Sequence, residues 1–246
     1  MTKQSGLGDN FYIGGYNISG DVGSLSSISG GNAPFEMTDI TLSGMARIGG
    51  QRSGTIEFSP FFNTTAGQEH TILKTLPTTD TSAMYLRGTT IGDPAAAMVA
   101  KQVNYDWTRA ADGSLTGAVQ ALSNGYGLEW GQNLTAGVRS DTTATNGSSI
   151  DTTASASFGI QAYLQVFSFT GTSCTVTVQD SADNAAFASI AGLGSFTAAT
   201  GITFERLAST NTTTVRRYLR VATTGTFSQC SFAVVVVKND IAGQVF

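Results

Sequence analysis

The chain has 246 residues, of which 41% are hydrophobic and only 12% charged, with a formal net charge of −4. An ordinary soluble domain is about 25% charged, so Ser, Thr, Gly and Ala stand where charge would normally be. That balance disfavours nucleic acid as a surface partner, because phosphate recognition needs concentrated Lys and Arg.

The length suits one large β domain or two ordinary ones, with core enough to fold without disulfide or metal. The opening "MTKQSGLGDNFYIGG" lacks the basic-then-apolar layout of a signal peptide. The longest apolar run, "FAVVVV" at 232–237, falls far short of the ~20 residues that span a bilayer. A protein made in a cytoplasm, with no membrane insertion, is expected.

Residues 1–34 are rich in glycine with scattered aromatics and read as a flexible arm with short strand pieces. Residues 35–139 read as a first folded domain. Within it, "GTIEFSPFF" alternates Ile56 and Phe58 with Thr55, Glu57 and Ser59, as a strand with one wet face does. In "TAGQEHTILKTLP", Thr65 and Gln68 have capping-box spacing, Ile72, Leu73 and Leu76 make an apolar stripe, and Pro77 supplies a stop. This is the one helix expected. "SAMYLRG" reads as a strand, and "AAAMVAKQVNYDW" with "SLTGAVQAL" as a hairpin turning near Asp112-Gly113.

Residues 140–157 contain no large apolar residue except Ile150 and read as a linker. The remainder, 158–246, reads as a second, all-β unit. "IQAYLQVFSF" and "CTVTVQ" form a hairpin there, and "VRRYLRVATTG" and "SFAVVVVKN" close the sheet. The expected fold class is therefore mainly β: a sandwich or curled sheet with one helix, then a C-terminal all-β sandwich. Arg216 and Arg220 fall on one strand face and Arg217 on the other, as solvated or intersubunit groups.

Little in the chain is equipped for catalysis. His70 is the only histidine and sits in the expected helix, and there is no G-x-S-x-G elbow. One His with two separated cysteines, Cys174 and Cys230, cannot make the usual zinc sets. The cysteines read as small buried hydrophobes, with a cross-sheet disulfide as the alternative. Asp180 and Asp183 in "DSADN" are weak metal candidates without EF-hand spacing, and an Asx turn explains them better. Trp107 and Trp130 read as core or interface packing, and the glycine pairs lack the strand-to-helix context of a phosphate cradle. No enzyme and no cofactor are expected.

The order "RSGTIEFSPFFN", "GQEHTILKTLP", "SAMYLRGT", "AAAMVAKQVNYDW", "DGSLTGAVQALSNGYGLEWG", from about 52 to 131, resembles the major tail (tail tube) proteins of long-tailed, siphovirus-type bacteriophages. The glycine-rich opening and the loop "SGMARIGGQRSG" resemble the versions found in actinobacterial phages. Residues 158–239 resemble, more loosely, the extra sandwich that some of these proteins carry outside the tube. The resemblance implies a virion protein that closes into hexameric rings and stacks into a hollow tube for DNA delivery. Its partners would be copies of itself, the tape measure, tail terminator and distal tail proteins, and DNA in transit without specific binding. Carried onto this chain, it makes Arg47, Arg52, Phe11, Tyr12 and Tyr16 assembly candidates. Thr116, Ala118 and Gln120 become candidates for the lumen face, opposite Leu115, Val119 and Ala121. Two other readings are a capsid-decorating protein and a sugar-binding tail adhesin, the latter with Tyr163, Phe167, Phe187 and Tyr218 as its aromatic candidates.

Overall fold

The computed structural model describes residues 7–76 and 79–243. It is almost entirely β, as expected, and every strand pairing in it is antiparallel.

Strands β1 (Asn10–Ile13) and β2 (Tyr16–Asn17) form a tight hairpin with Gly14 and Gly15 at its tip. A much longer hairpin follows, β3 (Val22–Glu36) with β4 (Arg47–Pro60). After helix α1 (Glu69–Leu73) come β5 (Thr81–Leu86), β6 (Pro94–Gln102), β7 (Asp106–Arg109), β8 (Leu115–Ser123) and β9 (Glu129–Asn133). Two short strands, β10 (Arg139–Asp141) and β11 (Asn146–Asp151), precede the long β12 (Ile160–Ser181). The chain ends with β13 (Ala188–Ser189), β14 (Thr203–Ala208) and the long β15 (Tyr218–Lys238).

The N-terminal half curls around one apolar core. Phe11 and Ile13 of β1 meet Ile56 and Phe58 of β4, Val119 and Ala121 of β8, and Leu73 of the helix. The alternation read in "GTIEFSPFF" holds: Ile56 and Phe58 are buried while Thr55, Glu57 and Ser59 are half-exposed. All six residues of β5 are buried, as in a strand covered on both faces. Its second face, with Tyr12, Met84 and Leu86, packs against Tyr163, Ala233 and Val235 of the long strands.

The long strands β12 and β15 form a ladder from Ile160 opposite Lys238 to Ser181 opposite Tyr218. It bends where its register slips, around Gly171 and Gly225, both at positive φ (150 and 118). A Cβ on Gly171 would lie 2.4 Å from the Phe227 Cα, and one on Gly225 would lie 2.3 Å from the Ser173 carbonyl oxygen. Only glycine permits that approach. Beyond the bend, Val176, Val178, Leu219 and Val221 share a core with Ile160, Leu164, Phe232 and Val234 from before it. The C-terminal sandwich is thus made largely from one ladder folded toward itself.

Three local expectations differ from the structure. The helix has five residues rather than a full amphipathic span, and Gln68 at its N-cap makes no side-chain cap bond. Its first turn is capped from a distance: Asp21 Oδ2 accepts the Glu69 N–H, and the Asn63 carbonyl accepts the His70 N–H. Thr65 instead donates its N–H to the Asn63 side chain. The chain leaves the helix through Leu76 at φ 44, while the Pro77 stop lies outside the described residues.

The stretch read as a linker carries β10 and β11, both paired to β15. The sheet itself runs unbroken between the halves, from β15 through β9 to β6. The opening stretch read as an arm is interior from Phe11 to Ile13, where β1 pairs with β5.

Candidate assembly surface

Beyond one pair of glycines the β3–β4 hairpin leaves the body. Gly30 and Gly54 face each other in register, and Leu128 lies across them, so that a Cβ on Gly54 would sit 2.5 Å from the Leu128 backbone nitrogen. Past this clamp every residue from 31 to 45 is exposed. Phe35, Met37, Ile40, Leu42, Met45 and Ile48 all stand in water here, from 48% exposed for Leu42 to 105% for Ile40. The tip is nonetheless a formed loop. Asp39 accepts hydrogen bonds from the Thr41 N–H and hydroxyl, which hold its carboxyl below the usual range, and the Met37 N–H donates to the Ala46 carbonyl. Apolar side chains displayed on an ordered projection mark an interaction surface.

At the base of the projection, four strands lie in the order β3-β4-β8-β7. Among the described residues β3 pairs only with β4 and β7 only with β8, so both outer edges are open. The β3 edge is long, and residues 22–35 carry no charge. From Val22 to Ala33 it has none of the lysines, prolines or covering segments with which monomeric proteins blunt such an edge, and its single proline, Pro34, lies out on the projecting arm.

The β7–β8 hairpin places Asp106 opposite Ala118 and Thr108 opposite Thr116, and β4 places Glu57 opposite Gln120. Thr116 and Ala118 are exposed and Gln120 is half-buried, whereas Gly117, Val119 and Ala121 on the alternate positions are buried. Leu115 is only half-buried. Gln120 is not free: its Nε2 donates to Glu57 Oε1. The open face of the paired segment therefore presents hydroxyls, an amide and the carboxylates of Glu57 and Asp106.

The remaining site candidates scatter. Arg47 is on the projecting arm and exposed, and Arg52 is half-buried beside Gly127 at its base. Phe11 and Tyr12 are core residues, one ring 4.8 Å from Phe58 and the other 4.9 Å from Phe167, so neither presents a surface. Tyr16 is half-buried in β2, against the same core as Phe11. Asp180 is engaged by Arg216 through its Nε and Nη2, and Asp183 accepts the Ala185 and Ala186 N–H groups in an Asx turn. Those bonds hold the Asp183 carboxyl down at about 2. No group of three metal-ligating side chains occurs among the described residues.

The three arginines are used within the chain: Arg216 on Asp180, Arg217 on Asp151, and Arg220 on Gln179 and the Phe187 ring. Strand parity, which puts Arg216 and Arg220 on one face, does not extend to Arg216 and Arg217, since both precede β15, and Arg216 and Arg220 engage adjacent β12 residues, Asp180 and Gln179. His70 Nδ1 lies 2.6 Å from the Tyr105 hydroxyl, in a ring cluster with Phe62 and Trp107. Of the four aromatics considered for sugar binding, Tyr163 is fully buried, and Phe167, Phe187 and Tyr218 are half-buried.

One buried group of polar residues had no local signal in the sequence. Glu129 of β9, Tyr163 of β12 and Arg206 of β14 meet inside the molecule, with Arg206 Nη2 2.9 Å from Glu129 Oε1 and the Tyr163 hydroxyl 2.6 Å from Oε2. The Arg206 guanidinium also lies over the Tyr126 ring at 3.8 Å. Three separate segments supply these groups, so only the fold reveals the site.

No protein-family model matches the chain, and no curated protein matches it. Solved structures overlap it loosely. One is the Dit protein (gp 19.1) of phage SPP1, described as a paradigm of hub adsorption apparatus in phages infecting Gram-positive bacteria. It has 11% identity and a TM-score of 0.33, over 93% of this chain and 98% of that one. Two others are the phage p2 baseplate in its activated conformation. The strontium form gives 10% identity and a TM-score of 0.34 over 95% and 99% of the two chains, and the calcium form 11% and 0.33 over 95% and 99%. Overlaps this loose leave function to be argued from the chain's own residues.

Proposed function

We propose that this chain is a structural protein of a phage tail, a ring-forming subunit of the tail tube. The observation that carries the reading is the row β3-β4-β8-β7 with an open edge on each side. Pairing the uncharged β3 edge of one copy with the β7 edge of the next removes both edges and closes a barrel. The face bearing Thr116, Ala118 and Gln120 would then line the bore. That face offers DNA mainly carboxylates and hydroxyls, and Lys101, opposite Leu122 at the far end of β8, is paired with Asp80, so the duplex slides past. The projecting arm, with Phe35, Ile40 and Met45 in water, reaches a neighbouring ring and buries its apolar tip there. The C-terminal ladder remains outside the wall.

Negative-stain electron microscopy of the purified protein over a range of concentrations tests this reading. Hollow tubes with a regular axial repeat are the expected result. Rings that never stack would remove the tube while keeping ring closure, and uniform trimers would favour a capsid-decorating protein. A protein that stays monomeric when mixed with a preformed ring of its own tail would overturn the proposal.

A further inference from the structure

The bend in the β12–β15 ladder brings together two nucleophiles that the proposed assembly leaves unused. Cys174 follows Gly171 just past the bend on β12, and Cys230 lies on the other side of the bend, opposite Phe169. Along a straight ladder they would be well apart, since Cys174 itself pairs with Gly225. With the ladder folded, both side chains enter one core as fully buried free thiols, close enough for each to shift the other's proton affinity. A charged pair, Arg139 and Asp141 on β10, lies alongside: Asp141 sits opposite Cys230 in register.

We propose that Cys174 and Cys230 are an oxidisable pair that closes into an intramolecular disulfide and staples the bend of the C-terminal ladder. The oxidant is a low-molecular-weight disulfide. The Cys174 thiolate attacks one of its sulfurs and expels a small thiolate, leaving a mixed disulfide on Cys174. Cys230 then loses its proton, attacks the Cys174 sulfur and expels the second small thiolate. Two protein thiols are oxidised, one small disulfide is reduced, and the two protons go to solvent or to the departing thiolates. In the closed pair Cys230 holds the Cys174 pKa below the ordinary thiol value, while Cys230 itself is raised by Cys174 and by burial; attack in the reverse order gives the same product. Since neither sulfur reaches solvent, exchange requires the bend to open, and its rate should climb in sub-denaturing urea.

The test is to incubate the reduced full-length chain with oxidised glutathione in sub-denaturing urea, then record intact mass and a non-reducing peptide map. The expected product has lost two hydrogens, carries no glutathione, and yields one linked peptide pair containing Cys174 and Cys230. Its Tm, read after the urea is removed, should rise by about 5–10 °C and fall back on reduction. Cys174→Ala and Cys230→Ala should each lose that rise. Two glutathione adducts, two thiols still open to alkylation, or links only between chains would overturn the proposal. The wild-type map decides the matter even if a variant fails to fold.

Discussion

Two buried acids show how single residues are used here. Glu69 has no exposed surface, and burial raises its carboxyl pKa despite the Asn63 N–H that donates to it, with the Asp21 charge adding to the rise. A folded-state pKa above the unfolded one means that the native state holds the proton more tightly. The associated stability is therefore complete below the ordinary glutamate range and is lost as pH rises through the raised value. Glu69→Gln keeps an acceptor for Asn63 without the charge. Its denaturation midpoint should match wild type in acid and exceed it at neutral pH; a constant offset across pH would contradict this account. Glu129 differs in having a cation beside it, Arg206 at 2.9 Å, with the pair almost fully enclosed. Arg206→Met leaves that carboxylate buried beside Tyr163 without its cation, and urea unfolding should show a loss of about 3–5 kcal/mol. Arg217→Met, which breaks the exposed pair with Asp151, should cost no more than about 1 kcal/mol.

At the scale of elements, the β3–β4 hairpin is where the proposed assembly is separable from folding. Its base is tied down by Leu128 across Gly30 and Gly54, while its far end touches little of the body. Replacing residues 37–46 by Asn-Gly between Glu36 and Arg47 should leave Tm and circular dichroism nearly unchanged and abolish higher-order assembly; tubes formed by the shortened chain would exclude the tip as a contact. This element also shows what local sequence can convey. The inward residues Ile56 and Phe58 announce themselves by alternation, as do Val119 and Ala121, because each strand has one dry face. The hairpin's length does not, since "SGGNAPFEMTDITLSGMARIGG" has no dry face to impose a period. The "NFYI" strand was hidden for the reverse reason: buried on both sides among glycine turns, it shows neither alternation nor length. The helix was overread because Thr65 and Gln68 match a local cap, while the bonds made at that end come from Asp21 and Asn63. Leu115, Val119 and Ala121 were placed by parity, yet parity could not foresee Glu57 reaching Gln120, a partner supplied by another strand.

For the molecule as a whole, the feature that needs explaining is a sheet row finished on neither side. A monomer with fifteen edge residues and a single terminal charge on them invites indiscriminate strand pairing, and in the proposed ring another copy covers that edge. Charge placed there should separate the two states of the protein. Ser24 and Ser29 are exposed on β3, and Ser24→Lys/Ser29→Lys puts two cations where a neighbouring β7 would lie, without touching Leu25 or Ile28 on the core side. The double variant should stay folded with the wild-type Tm and sediment as a monomer at concentrations where wild type forms rings. Ser24→Thr/Ser29→Thr, which keeps an uncharged edge of good strand formers, should form rings as wild type does. If the lysine variant closes rings as readily as wild type at low salt, β3 is not the closing edge. Closure would then have to come through the projecting arm or the C-terminal ladder. With the edge confirmed, Thr116→Lys becomes the informative lumen change, because Thr116 faces Thr108 whereas a lysine at 120 would be neutralised by Glu57. Tails carrying it should assemble to normal length and deliver DNA more slowly, the delay shrinking as salt is raised.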